Sequence, residues 1–229
     1  MRALVFTLVA SCAAAPAVAG GPPQRIGLDV GISYWEAVGE IEPYAPLLAS
    51  DEFGPFDREG WSVGIRYLFG VADTRRGSLF VGPALTFFRH ANTVGITIED
   101  ESPAVEGDLR LRGLVFGGEA EWRFPAAGAW TPFVAAGIEY QQADAAIQVG
   151  GITTADYDNA RGFGYALGLG TDVRLTRKPG PLSMRATARV RWLDFGEVSW
   201  AVPGSGDLAG PAYEVLLGFG WEKGWERGS

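Results

Sequence analysis

Bulky apolar side chains occupy every second position through eight stretches of this chain, and the residues between them are small, polar or charged. A period of two marks a β-strand with two unlike faces. In the first stretch Ile26, Leu28, Val30, Ile32 and Tyr34 alternate with Gly27, Asp29, Gly31 and Ser33, and in the second Trp61, Val63, Ile65, Tyr67 and Phe69 alternate with Ser62, Gly64 and Arg66. The third sets Leu79, Val81, Leu85 and Phe87 against Gly82, Ala84 and Thr86. The fourth sets Leu114, Phe116, Trp122 and Phe124 against Gly117, Glu119, Glu121 and Arg123, with Gly118 and Ala120 thinning its apolar face. Val134, Ala136, Ile138 and Tyr140 mark the fifth, opposite Ala135, Gly137 and Glu139. The sixth carries Phe163, Tyr165, Leu167, Leu169, Val173 and Leu175 opposite Gly164, Ala166, Gly168, Gly170, Asp172 and Arg174. Met184, Ala186, Ala188, Val190 and Trp192 define the seventh against Arg185, Thr187, Arg189 and Arg191. The eighth is the cleanest, with Tyr213, Val215, Leu217, Phe219 and Trp221 in one row and Glu214, Gly218 and Gly220 between them.

The links between these stretches alternate in length. Short ones are expected around Gly70 to Gly77, Pro125 to Thr131 and Arg177 to Pro181, rich in the glycine and proline of turns. Long ones are expected over Glu36 to Glu59, His90 to Asp108, Ala143 to Ala160 and Phe195 to Gly210. The faces can be assigned by volume. An eight-strand barrel has an interior just wide enough for side chains. A soluble, lipocalin-like barrel would have to pack full rows of Leu, Ile, Phe, Tyr and Trp into that space while showing glycine to water. The opposite assignment puts the bulky rows on lipid and the small and charged ones inside.

Composition supports the membrane form. Aromatic residues make up 12% of the chain and glycine numbers 33 of 229, yet no run beyond residue 19 approaches the roughly 18 to 20 apolar residues of a spanning helix. A closed barrel is the other way to satisfy every backbone group in lipid. Met1-Arg2, the apolar run Ala3 to Ala15, Pro16 and the small-x-small Ala17-Val18-Ala19 form an export signal cut after Ala19, leaving one domain over residues 20–229. Reading Val9-Ala10-Ser11-Cys12 as a lipoprotein box would require an unusually short apolar run. Cys12 is the sole cysteine and leaves with the signal, so neither a disulfide nor thiol chemistry is expected.

The expected fold is therefore all-β, an eight-stranded antiparallel transmembrane barrel with short periplasmic turns and long extracellular loops. An even strand count puts both termini in the periplasm. In its eight alternating strands, long external loops and aromatic C-terminal strand the chain resembles the outer-membrane protein A transmembrane domain and the outer-membrane protein X type, over the whole of residues 20–229. The resemblance is architectural. It implies location in the bacterial outer membrane among its lipid and lipopolysaccharide. It also implies that the row Tyr213, Val215, Leu217, Phe219 and Trp221 is the signal read by the barrel-assembly machinery. The chain runs on from Glu222 to Ser229 where such proteins often stop at the terminal aromatic, so that signal is expected to be internal. No peptidoglycan-binding domain follows, so a wall-anchoring role does not transfer.

Candidate chemistry is sparse. Small barrels resembling lipid A deacylases or palmitoyl transferases use a histidine with a serine. His90 is the only histidine, at the external end of strand three, and no serine adjoins it in Phe88-Arg89-His90-Ala91-Asn92. The expectation is an interfacial polar residue and no catalytic centre. Acidic residues gather in the first loop (Glu36, Glu40, Glu42, Asp51, Glu52, Asp57, Glu59) and the second (Glu99, Asp100, Glu101, Glu106, Asp108), without ordered calcium-ligand spacing. No metal and no cofactor are expected. The net charge of −8 argues against nucleic acid as a partner. The alternating glycines around Gly164, Gly168 and Gly170 make space in a narrow barrel, with no strand-to-helix step to cradle phosphate. Trp35, Trp61, Trp122, Trp130, Trp192 and Trp200 read as interfacial girdles.

The inward parity carries the sharpest expectation. Asp29, Glu119, Glu121, Glu139, Asp172 and Glu214 face Arg66, Arg123, Arg174, Arg185, Arg189 and Arg191. Buried charges persist when paired, so an ion-pair network should fill the lumen, with Arg189 and Arg191 pairing to Asp172 and Glu214 on either side. The function this implies is a non-enzymatic structural or surface-interaction protein whose external loops carry its specificity. A narrow pore for small solutes is the alternative, and a lipid A-modifying enzyme centred on His90 a third.

Overall fold

A computed structural model of the chain describes residues 22–36, 58–96, 105–149, 152–175, 182–199 and 205–223. The export signal, Trp200, the turn Arg177 to Pro181 and most of the acidic loop residues lie outside these. Eight strands follow one another: β1 (Gln24–Trp35), β2 (Glu59–Thr74), β3 (Gly77–Ile96), β4 (Val105–Arg123), β5 (Trp130–Val149), β6 (Ile152–Arg174), β7 (Leu182–Ser199) and β8 (Ser205–Lys223). Each pairs antiparallel with the next, and β8 returns to β1, closing the barrel in the order β1 to β8. Closure leaves no edge along the paired belt, which is what a sheet in lipid requires.

The alternation seen in the sequence becomes two faces. Val30, Ile32, Phe116, Ile138, Phe163, Leu167, Leu169, Val215, Leu217 and Phe219 are all more than half exposed on the outside, while Asp29, Arg66, Glu121, Asp172 and Arg185 are buried inside. The interior is not only small and charged. Trp35, Leu68, Phe80, Phe88, Leu111, Phe133, Phe195 and Leu216 are buried there as well. Trp35 is thus no girdle residue. Trp61 and Trp130 are exposed on the outer face, as a girdle requires, and Trp192 stacks on Tyr165 with ring centroids 4.6 Å apart.

One end of the barrel has tight turns. Thr74 pairs with Gly77 across Arg75 and Arg76, and the Arg76 N–H donates to Thr74 Oγ1 at 3.2 Å. The expected turn over Gly70 to Gly77 therefore shrinks to two residues, and Gly70 marks a bulge within β2. At the other end three of the four expected loops are tall hairpins. Pairing continues to Ile96↔Val105, to Val149↔Ile152 and to Ser199↔Ser205. These hairpins carry the pairing beyond the apolar rows that the sequence shows.

Candidate functional site

The lumen holds the charged side chains in three tiers. Nearest the tight turns, three arginines, Arg25 of β1, Arg123 of β4 and Arg185 of β7, interleave with Glu121, Asp172 and Glu222. Asp172 lies 2.6 Å from Arg25, 3.1 Å from Arg123 and 3.9 Å from Arg185. Glu121 pairs closely with Arg185 and lies 3.8 Å from Arg25 and 3.7 Å from Arg123. Glu222 binds Arg123 and Arg25, the latter at 3.3 Å. The Arg185 guanidinium also sits 3.7 Å from the centroid of the Phe133 ring, a cation–π contact in a desolvated place.

The middle tier joins Arg66 to Asp29 and to Glu119 at 3.0 Å, with Arg189 3.4 Å from Glu119. Above it Arg191 bridges Glu139 and Glu214, each at 2.8 Å, and donates to Thr86 Oγ1 at 3.3 Å. Arg189 ties the two upper tiers together through Glu214 at 3.8 Å.

Eleven of the twelve charged residues placed inside by parity are buried there: Asp29, Arg66, Glu119, Glu121, Arg123, Glu139, Asp172, Arg185, Arg189, Arg191 and Glu214. Arg174 is the exception. It is exposed at the turn end of β6, beyond the last filled layer of the lumen. Arg189 and Arg191 do not reach Asp172 either. Antiparallel register sets Asp172 opposite Arg185, and sets Arg189 and Arg191 opposite Gly168 and Ala166, two and three rungs further along. Arg25 and Glu222 were missed. Both continue the inward parity, Arg25 two residues before Gly27 and Glu222 two after Gly220, so the signal was present at strand ends drawn too short.

Above the upper tier the lumen is capped by aromatics. Trp35 meets Phe88 edge-on at 6.2 Å, His90 at 6.1 Å and Phe195 at 5.8 Å between ring centroids, and all four are buried. His90 is therefore not an interfacial residue. Its ring crosses β2 to reach β1, where Ser33 Oγ lies 3.3 Å from His90 Nε2. Gly60 makes this possible, since a Cβ there would fall 2.6 Å from His90 Nδ1. Glu214, Ser33, Gly60 and His90 occupy one register row across β8, β1, β2 and β3, a juxtaposition that spacing along the chain does not reveal. The acid of this row is engaged by Arg191.

A second reach across a glycine occurs on the other side. The β6–β7 register ends at Tyr165↔Trp192, while both strands run on with their other neighbours. Buried Gln141 of β5 spans the break: its Nε2 donates to the Trp192 carbonyl at 3.3 Å and its Oε1 accepts from the Asp194 N–H at 3.3 Å. A side chain at Gly164 would collide with it. Gln141 thus replaces the lost ladder bonds with side-chain ones. Among the described residues, no group of three His, Cys, Asp or Glu side chains could hold a metal ion.

Comparison with known proteins places this architecture. The outer membrane protein β-barrel domain family matches residues 4–222. No curated protein matches the chain. Among solved structures, the chain is similar to OprG of Pseudomonas aeruginosa at 14% identity and a TM-score of 0.47, covering 90% of this chain and 97% of that one. Neisserial surface protein A matches at 16% identity and 0.43, over 89% and 97%. The attachment invasion locus protein of Yersinia pestis matches at 12% and 0.42, over 89% and 99%.

Proposed function

The chain belongs to the outer membrane protein β-barrel domain family, and from that premise we propose a sealed, non-enzymatic barrel that acts through its exterior. In this reading the tight turns and both termini are periplasmic, the tall hairpins stand outside the cell, and binding specificity resides in the connections at that end. The row from Tyr213 to Trp221 serves the barrel-assembly machinery. One observation carries the proposal: among the described residues the lumen is crossed by three tiers of ion pairs and then by the cap of Trp35, Phe88, His90 and Phe195. Neutral matching of buried charge suits a plug, whereas a conducting lumen keeps polar groups in water. Swelling of protein-loaded vesicles in small sugars tests it. Vesicles with and without the protein should swell alike, and swelling that depends on the protein and falls with solute size would establish a pore instead.

The enzyme reading gains one specific observation, the Ser33–His90 distance of 3.3 Å, which is near the range for a base beside a nucleophile. Burial weighs against it. Both residues are buried on the lumen side, with the His90 ring against Trp35 and Phe88, whereas acyl chains of a lipid substrate would lie on the outer face. Mass spectra of lipid A from cells carrying the wild-type protein and Ser33→Ala should be identical. A mass change present only with the wild type would make the pair a catalytic centre.

A further inference from the structure

We infer that the outer face of β3–β6, just above the apolar belt, is a binding site for a phosphate-bearing lipid headgroup, formed by Arg89, Arg112 and Arg161. The inference rests on the membrane orientation proposed above.

The height comes from the register. Phe87 pairs with Leu114, and these end the apolar rows of β3 and β4. The next outward residues toward the hairpins are Arg89 and Arg112, which pair directly with each other. On β5 and β6 the apolar rows end at Tyr140↔Phe163, and Gln142↔Arg161 follows. Arg112 and Arg161 are exposed and Arg89 is half-exposed. A lipid leaflet places its phosphates at the level where acyl chains give way to water, which is the level of these three guanidinium groups.

Arg89 and Arg112 present a further oddity. Like charges directly opposite on one sheet face repel and destabilise the pair, and the barrel nonetheless places them there on a chain of net charge −8. Half-buried Asp144 stands beside them, with its carboxylate 3.7 Å from Nε of exposed Arg112. A phosphate between two guanidinium groups removes the repulsion, and the planar fork of arginine suits bidentate binding of its oxygens. Neighbouring strands are about 4.8 Å apart, so Arg161, two strands from Arg112, lies on the order of 10 Å away along the belt. That is within reach of a second phosphate on one headgroup.

Toward β7, β1 and β2 the described rim carries more acid than base, with Arg58 there donating to the Tyr34 hydroxyl at 3.2 Å. Glu36, Glu59 and Asp194 are exposed at its described positions toward β7, β1 and β2. An anionic lipid is thus directed to one side of the barrel. Net acidity elsewhere makes a general attraction to anionic surfaces a poor explanation for binding, so the three arginines must supply it.

The test uses the full chain, refolded into phosphatidylcholine vesicles doped with bisphosphorylated lipid A, extracted in mild detergent and examined by native mass spectrometry. Wild type should retain lipid A in preference to phosphatidylcholine. Each arginine near an anionic surface contributes about fivefold, so Arg89→Gln, Arg112→Gln and Arg161→Gln combined should lower retention at least roughly tenfold. Asp194→Asn on the opposite side should retain lipid A as wild type does, and lipid A stripped of phosphate should not be retained. Equal retention by the triple variant, or no preference in the wild type, overturns the site. A band unshifted between boiled and unboiled samples, with protein left outside the vesicles, would instead overturn the membrane reading and this inference with it.

Discussion

Replacing Arg185 with methionine removes one charge from the tightest cluster in the barrel while keeping most of its bulk. Arg185 is 1% exposed and holds Glu121 directly, with Asp172 at 3.9 Å and Thr187 Oγ1 at 3.3 Å. Without it, Glu121, Asp172 and Glu222 face only Arg25 and Arg123. Asp172 keeps its contacts at 2.6 and 3.1 Å. Glu121 is left with its contacts at 3.8 and 3.7 Å, too long for good hydrogen bonds. Stripping one partner from a buried pair costs about 3 to 5 kcal/mol, and those residual attractions put Arg185→Met at the lower end, about 3 kcal/mol. Adding Glu121→Gln restores balance, two arginines to two acids, and should return stability to within about 1 kcal/mol of wild type, because buried pairs replaced as a unit are often neutral. Urea titration of the barrel in vesicles, followed by the unboiled gel shift, measures both. A single-variant cost below about 1 kcal/mol, or a double variant as unstable as the sum of its parts, would refute the idea that charge matching governs this interior.

Leu167 is 52% exposed on the outer face, so Leu167→Arg should cost about 2 to 4 kcal/mol in the same titration. Ala127→Arg, in an exposed turn, should stay within about 0.5 kcal/mol. Truncation after Lys223 should leave assembly intact. Removing Glu222 as well should destabilise the barrel by withdrawing a carboxylate from Arg25 and Arg123, and Phe219→Ala with Trp221→Ala should slow assembly, as pulse-chase of the heat-modifiable form will show. Gln141→Ala should cost about 1 kcal/mol by removing two part-buried hydrogen bonds to the β7 backbone, and should raise deuterium exchange at Asp194 before exchange elsewhere in β7.

The belt of the barrel was legible because lipid on one side and a narrow lumen on the other force a strict alternation. Each of the eight strands announced itself there, and eleven interior charges followed from parity. Beyond the belt the forcing ends. Segments such as Thr93-Val94-Gly95-Ile96 and Ile147-Gln148-Val149 remain paired, but their sequences lack the two-sided alternation that a lipid-facing strand must carry, so these hairpins read as loops. Partners inside the lumen were less legible than membership. Which carboxylate an arginine meets depends on register and on long side chains reaching across the barrel, as Arg66 does to Glu119 two strands away. The Ser33–His90 pair was invisible for the same reason, since it requires the empty space of Gly60 on the strand between.

The sealed lumen is tested most directly by single-channel recording of the purified wild-type protein in a planar bilayer. The expected record shows no steady conductance, while Arg189→Ala with Arg191→Ala, which takes cations from Glu119, Glu139 and Glu214 together, gives either a small leak or a barrel that no longer inserts. A large, stable conductance from the unmodified protein would contradict the account.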